Sequence, residues 1–193
     1  MQQLPRKLVV VALRAETAGV FEAAGIPVLY CGVGKVNAAM ALTEQLAQYN
    51  FHRQAMPLVM NFGTAGSRQF PAGALVSCHE FVQRDMDVSG LGFAHGVTPY
   101  DDAPARLSFA PVFPHLPAGV CGSGDSFAIA AVAMECALVD MEAYALAKVC
   151  WRHQAAFACV KYVTDGADHG AADDWQQNVH KAADEFLRLF ASI

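Results

Sequence analysis

The sequence predicts an α/β protein: a single-domain, three-layer α/β/α arrangement around a central twisted sheet that is mixed but mostly parallel. Three observations lead there. Continuous apolar runs such as Leu8-Val9-Val10-Val11-Ala12-Leu13 read as strands covered on both faces. The early runs are each followed by a turn and then by helical apolar spacing, the repeat of parallel sheets with helices on their faces. The 193 residues suit a single core, and no repeat, linker or low-complexity tract divides them, so residues 1–193 read as one domain.

The elements follow in order. After the first strand, Ala15 to Ala24 reads as a helix closed by Gly25. Pro27 to Cys31 is a second strand, Gly32-Val33-Gly34-Lys35 a turn, and Val36 to Tyr49 a helix with Val36, Met40, Leu42, Leu46 and Ala47 as its apolar positions. Pro57 to Asn61 is a third strand and Gly63 to Gly66 the turn after it. Gly73 to Arg84 alternates apolar and polar residues and reads as a strand. Ser89 to Pro117 is irregular and holds five of the nine prolines; long loops of this kind are often functional. Strands resume at Ala118 to Cys121, Val139 to Glu142 and Phe157 to Thr164, with helices at Ala143 to His153 and Trp175 to Ile193.

Composition narrows the function classes. A net charge of −5 argues against nucleic acid or an anionic membrane as partner. No apolar run reaches the roughly 18–20 residues of a membrane span, and the stretch from Met1 to Lys7 lacks a signal-peptide cleavage pattern. Six cysteines without a CxxC pair read as reduced core residues of a cytoplasmic protein. At 54% hydrophobic and 16% charged, the chain is expected to carry apolar surface suited to a subunit interface.

Against that apolar background, carboxylates at strand ends stand out. An unpaired buried acid costs several kcal/mol or shifts its pKa strongly. Glu142 ends one strand-like segment and Asp165 another, while Glu16 follows the first strand. Sheets of this type bind ligands at their strands' carboxyl ends, which points to one cleft. Each acid also has a structural reading. Glu16 and Glu142 suit the first turns of helices, and Asp165 suits an Asx turn before Gly166. Met141, Phe127 and Trp175 would serve equally as core or surface anchors.

Several motifs fail. Gly32-Val33-Gly34-Lys35 lacks the spacing of a phosphate loop and has Val36 where Ser or Thr belongs. Cys121-Gly122-Ser123-Gly124-Asp125 has the wrong spacing for a nucleophile elbow and reads as a tight turn leading to a helix cap. Asp168, His169, Asp173 and Asp174 lack metal-ligand spacing and read as a solvated loop with helix-capping acids. No metal and no cofactor are expected.

Six segments in order carry a resemblance over nearly the whole chain: Ala12-Leu13-Arg14-Ala15-Glu16, residues 32–39 (GVGKVNAA), Asn61-Phe62-Gly63-Thr64-Ala65-Gly66, Ser123-Gly124-Asp125-Ser126-Phe127, Val139-Asp140-Met141-Glu142-Ala143 and Thr164-Asp165-Gly166-Ala167-Asp168. The chain resembles the purine nucleoside phosphorylase/nucleosidase superfamily and looks most like its 5′-methylthioadenosine/S-adenosylhomocysteine nucleosidases. The resemblance implies a nucleosidase that hydrolyses the N-glycosidic bond of such nucleosides and releases adenine. It makes Asp165 the general acid that protonates the departing base, which requires a pKa raised by burial. It makes Glu16 the base that positions and deprotonates water, and it gives Glu142 the ribose hydroxyls. Met141 would pack on ribose and Phe127 on adenine. Thr64 would lie near the water, Lys161 and Thr164 beside the catalytic strand, and Trp175 over the purine or 5′ group.

The resemblance also puts Leu91 and Pro99 in a loop reaching the partner subunit's pocket of a homodimer. The chain departs from the family in being short, above all between Phe127 and Val139, and in carrying Lys161 where the nucleosidases have Arg. Two alternatives stay open: a phosphate-dependent phosphorylase, kept alive by Arg14 and Arg68, and a nucleoside-binding protein without catalysis.

Overall fold

In the first strand, β1 (Lys7–Val11), side chains alternate between two cores, as the pleat dictates. Leu8 and Val10 join one buried cluster; Val9 and Val11 join the other. The first cluster is completed by Leu42, Leu46 and Tyr49 of α3 (Lys35–Phe51) and by Leu146, Ala147 and Cys150 of α4 (Ala143–His153). The second holds Phe21 of α2 (Val20–Ala23) and Phe186 and Leu189 of α6 (Ala183–Ala191), with Phe62 stacked on Phe186 at 5.2 Å between ring centroids. Helices therefore cover both faces, and the three-layer α/β/α fold stands. The computed structural model describes residues 3–130, 132–168 and 170–193.

The remaining elements are α1 (Arg14–Thr17), β2 (Val28–Tyr30), β3 (Leu58–Gly66), β4 (Leu75–Gln83), β5 (Arg106–Ser108), β6 (Ala118–Ser123), β7 (Leu138–Asp140), β8 (Ala156–Asp165) and α5 (Ala171–Asn178). The eight strands run β2-β1-β3-β7-β6-β4-β5, and β8 bridges β3 and β4. Pairing is parallel for β1 with β2, β1 with β3, β3 with β8, β4 with β6, and β6 with β7. It is antiparallel for β3 with β7, β4 with β5, and β4 with β8. The sheet thus curls into a ring, β3-β8-β4-β6-β7, closed where Gly66 pairs with Val139. Among the described residues no helix is long and apolar enough to cross a membrane.

Six local expectations need correction. The helix expected over Ala15 to Ala24 is two short pieces, because Ala18 and Gly19 take left-handed backbone at φ 47° and 77° between them. Gly63 to Gly66 is not a turn but the end of β3. The irregular stretch Ser89 to Pro117 contains a 3-10 turn, Ser89–Leu91, and strand β5, which pairs with the edge of β4. Gly122 and Ser123 belong to β6, and no helix follows among the described residues before α4. The terminal helix is broken between Asn178 and Ala183. On α3, Val36 and Met40 point outward at 68% and 59% exposure, not into the core.

Candidate active site

A cleft of about 210 Å³ opens where β3, β7 and β8 end. Glu16, Thr64, Phe127, Met141, Glu142, Thr164, Asp165 and Trp175 all line it, together with Asp140 and Arg84. Glu16, Glu142 and Asp165 are buried at 4%, 7% and 5% exposure. Three acids from distant parts of the chain share one small space, a costly arrangement unless each has its own partners.

Those partners differ. Glu16 sits at the third position of α1, where its Oε2 accepts from the Leu13 backbone N–H at 3.0 Å. Its Oε1 accepts from the Thr64 backbone N–H at 2.8 Å and from the Thr64 hydroxyl at 2.9 Å. The Thr64 hydroxyl in turn accepts from the Trp175 indole N–H at 3.1 Å. A Cβ at Gly63 would lie 3.1 Å from Lys161 Nζ and 3.2 Å from Glu16 Oε1, so that strand position leaves space for both charged groups.

Asp165 ends β8. The register between β3 and β8 shifts there, pairing Ala65 with Val163 but Gly66 with Asp165, so Thr164 is the extra residue of a bulge. Bulges beside functional sites re-aim side chains. Asp165 Oδ1 accepts from the Ala167 N–H at 2.9 Å, and Oδ2 from the Thr164 hydroxyl at 2.8 Å. The side chain lies against Gly66, where a Cβ would approach Oδ1 to 2.6 Å.

Glu142 lies just before α4 and accepts from the Gly34 N–H at 2.9 Å. Burial, then the neighbouring Asp140 carboxylate, pushes its pKa up to about 7 against the opposing pull of Lys161 and the Gly34 bond. Asp140 is itself ion-paired with Lys161 at 2.8 Å, with both side chains almost fully buried. Burial pushes Asp140 up and Lys161 down. The attraction between them prevails, leaving Asp140 below the usual carboxylate range and Lys161 well above the usual ammonium range. Asp140 also takes the Ser123 hydroxyl and the Ala143 N–H, the latter at 2.8 Å.

Lys161 is therefore beneath the cleft and not on its wall. Phe127 lines the rim at 46% exposure, and Met141 and Trp175 are half-buried. Leu91 and Pro99 do not line the cleft; Leu91 is 75% exposed, and Pro99 borders a separate groove with Tyr100 and Lys148. Arg14 faces solvent, pairs with Glu22 at 3.3 Å and lies over the Tyr30 ring. Arg68 is exposed on the border of another surface groove.

The sequence puts the Arg84-Asp85-Met86-Asp87 run near the pocket rim without giving it a role, and it does not reveal the parts played by Asp140 and the Gly34–Lys35 docking. Arg84 is 8% exposed and donates to the carbonyls of Gly124 and Ser126 and to the Ser126 hydroxyl, fastening the segment that carries Phe127. Its Nε is buried without a partner among the described residues. Asp85 accepts from Lys35 Nζ at 2.6 Å and from the Asp125 N–H at 2.9 Å, and Asp125 accepts from the Lys35 N–H at 2.7 Å. The Gly-rich turn thus spends its N–H groups on Glu142 and Asp125, the physical reason that it is not a phosphate cradle. Asp87 accepts from the Ser89 N–H at 3.0 Å. Downstream of the cleft, Asp168 accepts from the Gly170 N–H at 3.0 Å, Asp173 and Asp174 occupy the first turn of α5, and His169 lies outside the described residues. The sequence signal for Asp140 and Lys161 was available: each is a charge inside an apolar strand.

Fold and cleft together define an α/β protein of the nucleoside phosphorylase type. The chain belongs to the phosphorylase superfamily, whose sequence profile matches residues 16–193. It is 30% identical over 187 residues to the 5′-methylthioadenosine/S-adenosylhomocysteine nucleosidase of Marinomonas sp. (strain MWYL1), covering 86% of this chain and 79% of that protein. It is 29% identical to the nucleosidase of the same name from Anoxybacillus flavithermus (strain DSM 21510 / WK1), covering 86% and 78%. The same fold is found in the Helicobacter pylori 5′-methylthioadenosine/S-adenosylhomocysteine nucleosidase complexed with a pyrrolidine ligand, with a TM-score of 0.83 at 20% identity over 100% of both chains. It recurs in a mutant futalosine hydrolase of Helicobacter pylori strain 26695, with a TM-score of 0.83 at 20% identity over 97% of this chain and 99% of that one.

Proposed function

We propose that this protein is a purine nucleosidase that hydrolyses the N-glycosidic bond of 5′-methylthioadenosine/S-adenosylhomocysteine-type nucleosides and releases adenine. One observation carries the reading: Glu16, Glu142 and Asp165, from three separate strand ends, line one cleft of nucleoside dimensions. The 30%-identical relative supports the substrate class.

In this mechanism the bond between C1′ and the purine nitrogen lengthens first, and its electron pair moves into the base. Asp165 gives its proton to the purine ring, so that the base leaves neutral. Positive charge grows on the ribose ring oxygen and C1′, where the surrounding carboxylates stabilise it. Glu142 accepts from the ribose hydroxyls and fixes the sugar. Glu16 takes a proton from water as the water oxygen bonds to C1′. Met141 packs against ribose and Phe127 against the base, with Thr164 and Lys161 supporting the carboxylates from behind.

Hydrolysis is favoured over phosphorolysis by the charge beside Glu16. A phosphate nucleophile needs a cationic cradle. Arg14 and Arg68, the two arginines that the sequence offers for one, are exposed and do not line the cleft. Arg84 does line it but is bonded to Gly124 and Ser126, and Lys161 is committed to Asp140. Exposed Val36, Met40, Leu91 and Tyr100 supply an apolar surface that supports a homodimer, with Leu91 and Pro99 serving the neighbour's pocket.

The test is a nucleoside panel incubated with and without phosphate, identifying released base and sugar. Free adenine and free sugar at a phosphate-independent rate is the expected result; strict phosphate dependence rejects hydrolysis. Asp165→Asn should bind a nucleoside analogue and fail to turn over. Binding without turnover by the wild-type chain across the panel would make it a binding protein.

A further inference from the structure

Trp175 lines the cleft, yet its indole N–H points to a partner other than a ligand: it donates to Thr64 Oγ1 at 3.1 Å. An indole nitrogen is a donor only. Its bond therefore occupies a lone pair of the Thr64 hydroxyl and leaves that hydroxyl's single proton to be given elsewhere. The acceptor beside it is Glu16 Oε1, at 2.9 Å. The chain Trp175 to Thr64 to Glu16 has one direction, set by the residue at its far end.

We propose that Trp175 is a positioning residue for the water-activating carboxylate, acting through Thr64, and that this relay makes Glu16 Oε2 the oxygen that takes the proton. The proposal rests on the nucleosidase reading given above.

The lone-pair count supports it. An ionised carboxylate offers about four acceptor directions, two on each oxygen. Oε1 is filled by the Thr64 N–H at 2.8 Å and the Thr64 hydroxyl at 2.9 Å. Oε2 accepts from the Leu13 N–H at 3.0 Å and keeps one direction open. A water bound at Oε2 transfers its proton there while its oxygen bonds to C1′; the C1′–purine bond breaks, and the base is protonated by Asp165. If the indole donor is removed, the Thr64 hydroxyl is free to turn and offer its proton elsewhere. Oε1 then regains an open direction and competes for the water from the wrong side. Helix α5, which carries Trp175, is also tied to the catalytic strand by Asn178, whose amide donates to the Thr164 carbonyl at 2.8 Å. Removing the indole bond therefore leaves the helix a second tether.

Trp175→Phe keeps a ring and deletes the donor; Thr64→Val deletes the middle of the relay; Thr64→Ser keeps its hydroxyl. The expected result for Trp175→Phe is a kcat lower by about fivefold to tenfold with KM nearly unchanged, the effect of one hydrogen bond felt in the transition state. In a Thr64→Val background the same change should lower kcat no further, whereas in Thr64→Ser it should. A loss confined to KM, or an equal loss of kcat in both Thr64 backgrounds, overturns the relay and makes the ring a substrate contact or simple packing. A readout independent of turnover separates this from failure of the nucleosidase reading. The Trp175 indole proton, followed by hydrogen exchange on 15N-labelled protein, should be protected in the wild type and in Thr64→Ser and exposed in Thr64→Val. Equal exchange in wild type and Thr64→Val overturns the proposal whether or not the protein cleaves any nucleoside.

Discussion

Glu142 should weaken the protein that carries it, and Glu142→Gln should show by how much. Its carboxyl rises from the ordinary 4.5 to about 7, chiefly through burial and secondarily through Asp140. The sign follows from proton counting. Below pH 4.5 the group is protonated in folded and unfolded chains alike and has no effect. Between 4.5 and about 7 the unfolded chain has released the proton and the folded chain has not, so stability falls as pH rises. Above about 7 the penalty is complete. At 1.36 kcal/mol per pH unit, the rise from 4.5 to about 7 corresponds to about 3 kcal/mol, an upper bound because Asp140 and Lys161 readjust.

Gln keeps the shape and retains a carbonyl oxygen for the Gly34 N–H while removing the charge. Glu142→Gln should therefore unfold at nearly the wild-type temperature near pH 4.5 and about 5–10 °C above it at pH 8, for a chain of this size. On the proposed mechanism nucleoside cleavage should fall at the same time, since Glu142 would be the ionised acceptor of the ribose hydroxyls. Thermal melts of both proteins across that pH range provide the assay. A gain equal at both ends of the range, or none at pH 8, would refute the claim that burial of this charge is what costs stability.

Three further outcomes follow from the geometry. Lys161→Met strands Asp140 in the interior and should cost about 3–5 kcal/mol in urea unfolding, most of it recovered when Asp140→Leu is added; a loss below about 1 kcal/mol would mean that the pair is not desolvated. Gly66→Ala places a methyl group 2.6 Å from Asp165 Oδ1 and should cut purine release about a hundredfold by displacing the acid, whereas an unchanged rate would separate Asp165 from the chemistry. Arg84→Met unfastens the Gly124–Ser126 segment and should raise KM about tenfold with a smaller change in kcat, with Arg84→Lys intermediate; steady-state kinetics that leave KM unmoved would remove Arg84 from base recognition.

Most strands and the helices α3 and α4 were legible because apolar runs and helical spacing are local signals. So was the meeting of Glu16, Glu142 and Asp165, since parallel strands deliver their carboxyl ends to one side. Ring closure was not legible: it depends on a single pair, Gly66 with Val139, between segments far apart in sequence. The breaks at Ala18–Gly19 and after Asn178 were hidden in segments whose apolar spacing continues across them.

The misread glycines of residues 63–66 explain why fold and site cannot be read separately here. Glycine in an apolar run reads as the end of a strand, its commonest meaning. In this protein β3 continues through Gly63 and Gly66, and each marks a place where another side chain needs the volume of a missing Cβ. At Gly63 the occupants are Lys161 Nζ and Glu16 Oε1; at Gly66 the occupant is Asp165 Oδ1. The charged groups of the cleft are thus packed against bare backbone, where strand hydrogen bonding holds the chain rigid and no side chain of β3 separates them. Any residue with a Cβ would improve the strand in isolation and push the acids apart. The composition of β3 is set by the site it supports more than by the needs of the sheet, and that is why propensity failed at the positions where the chemistry is concentrated.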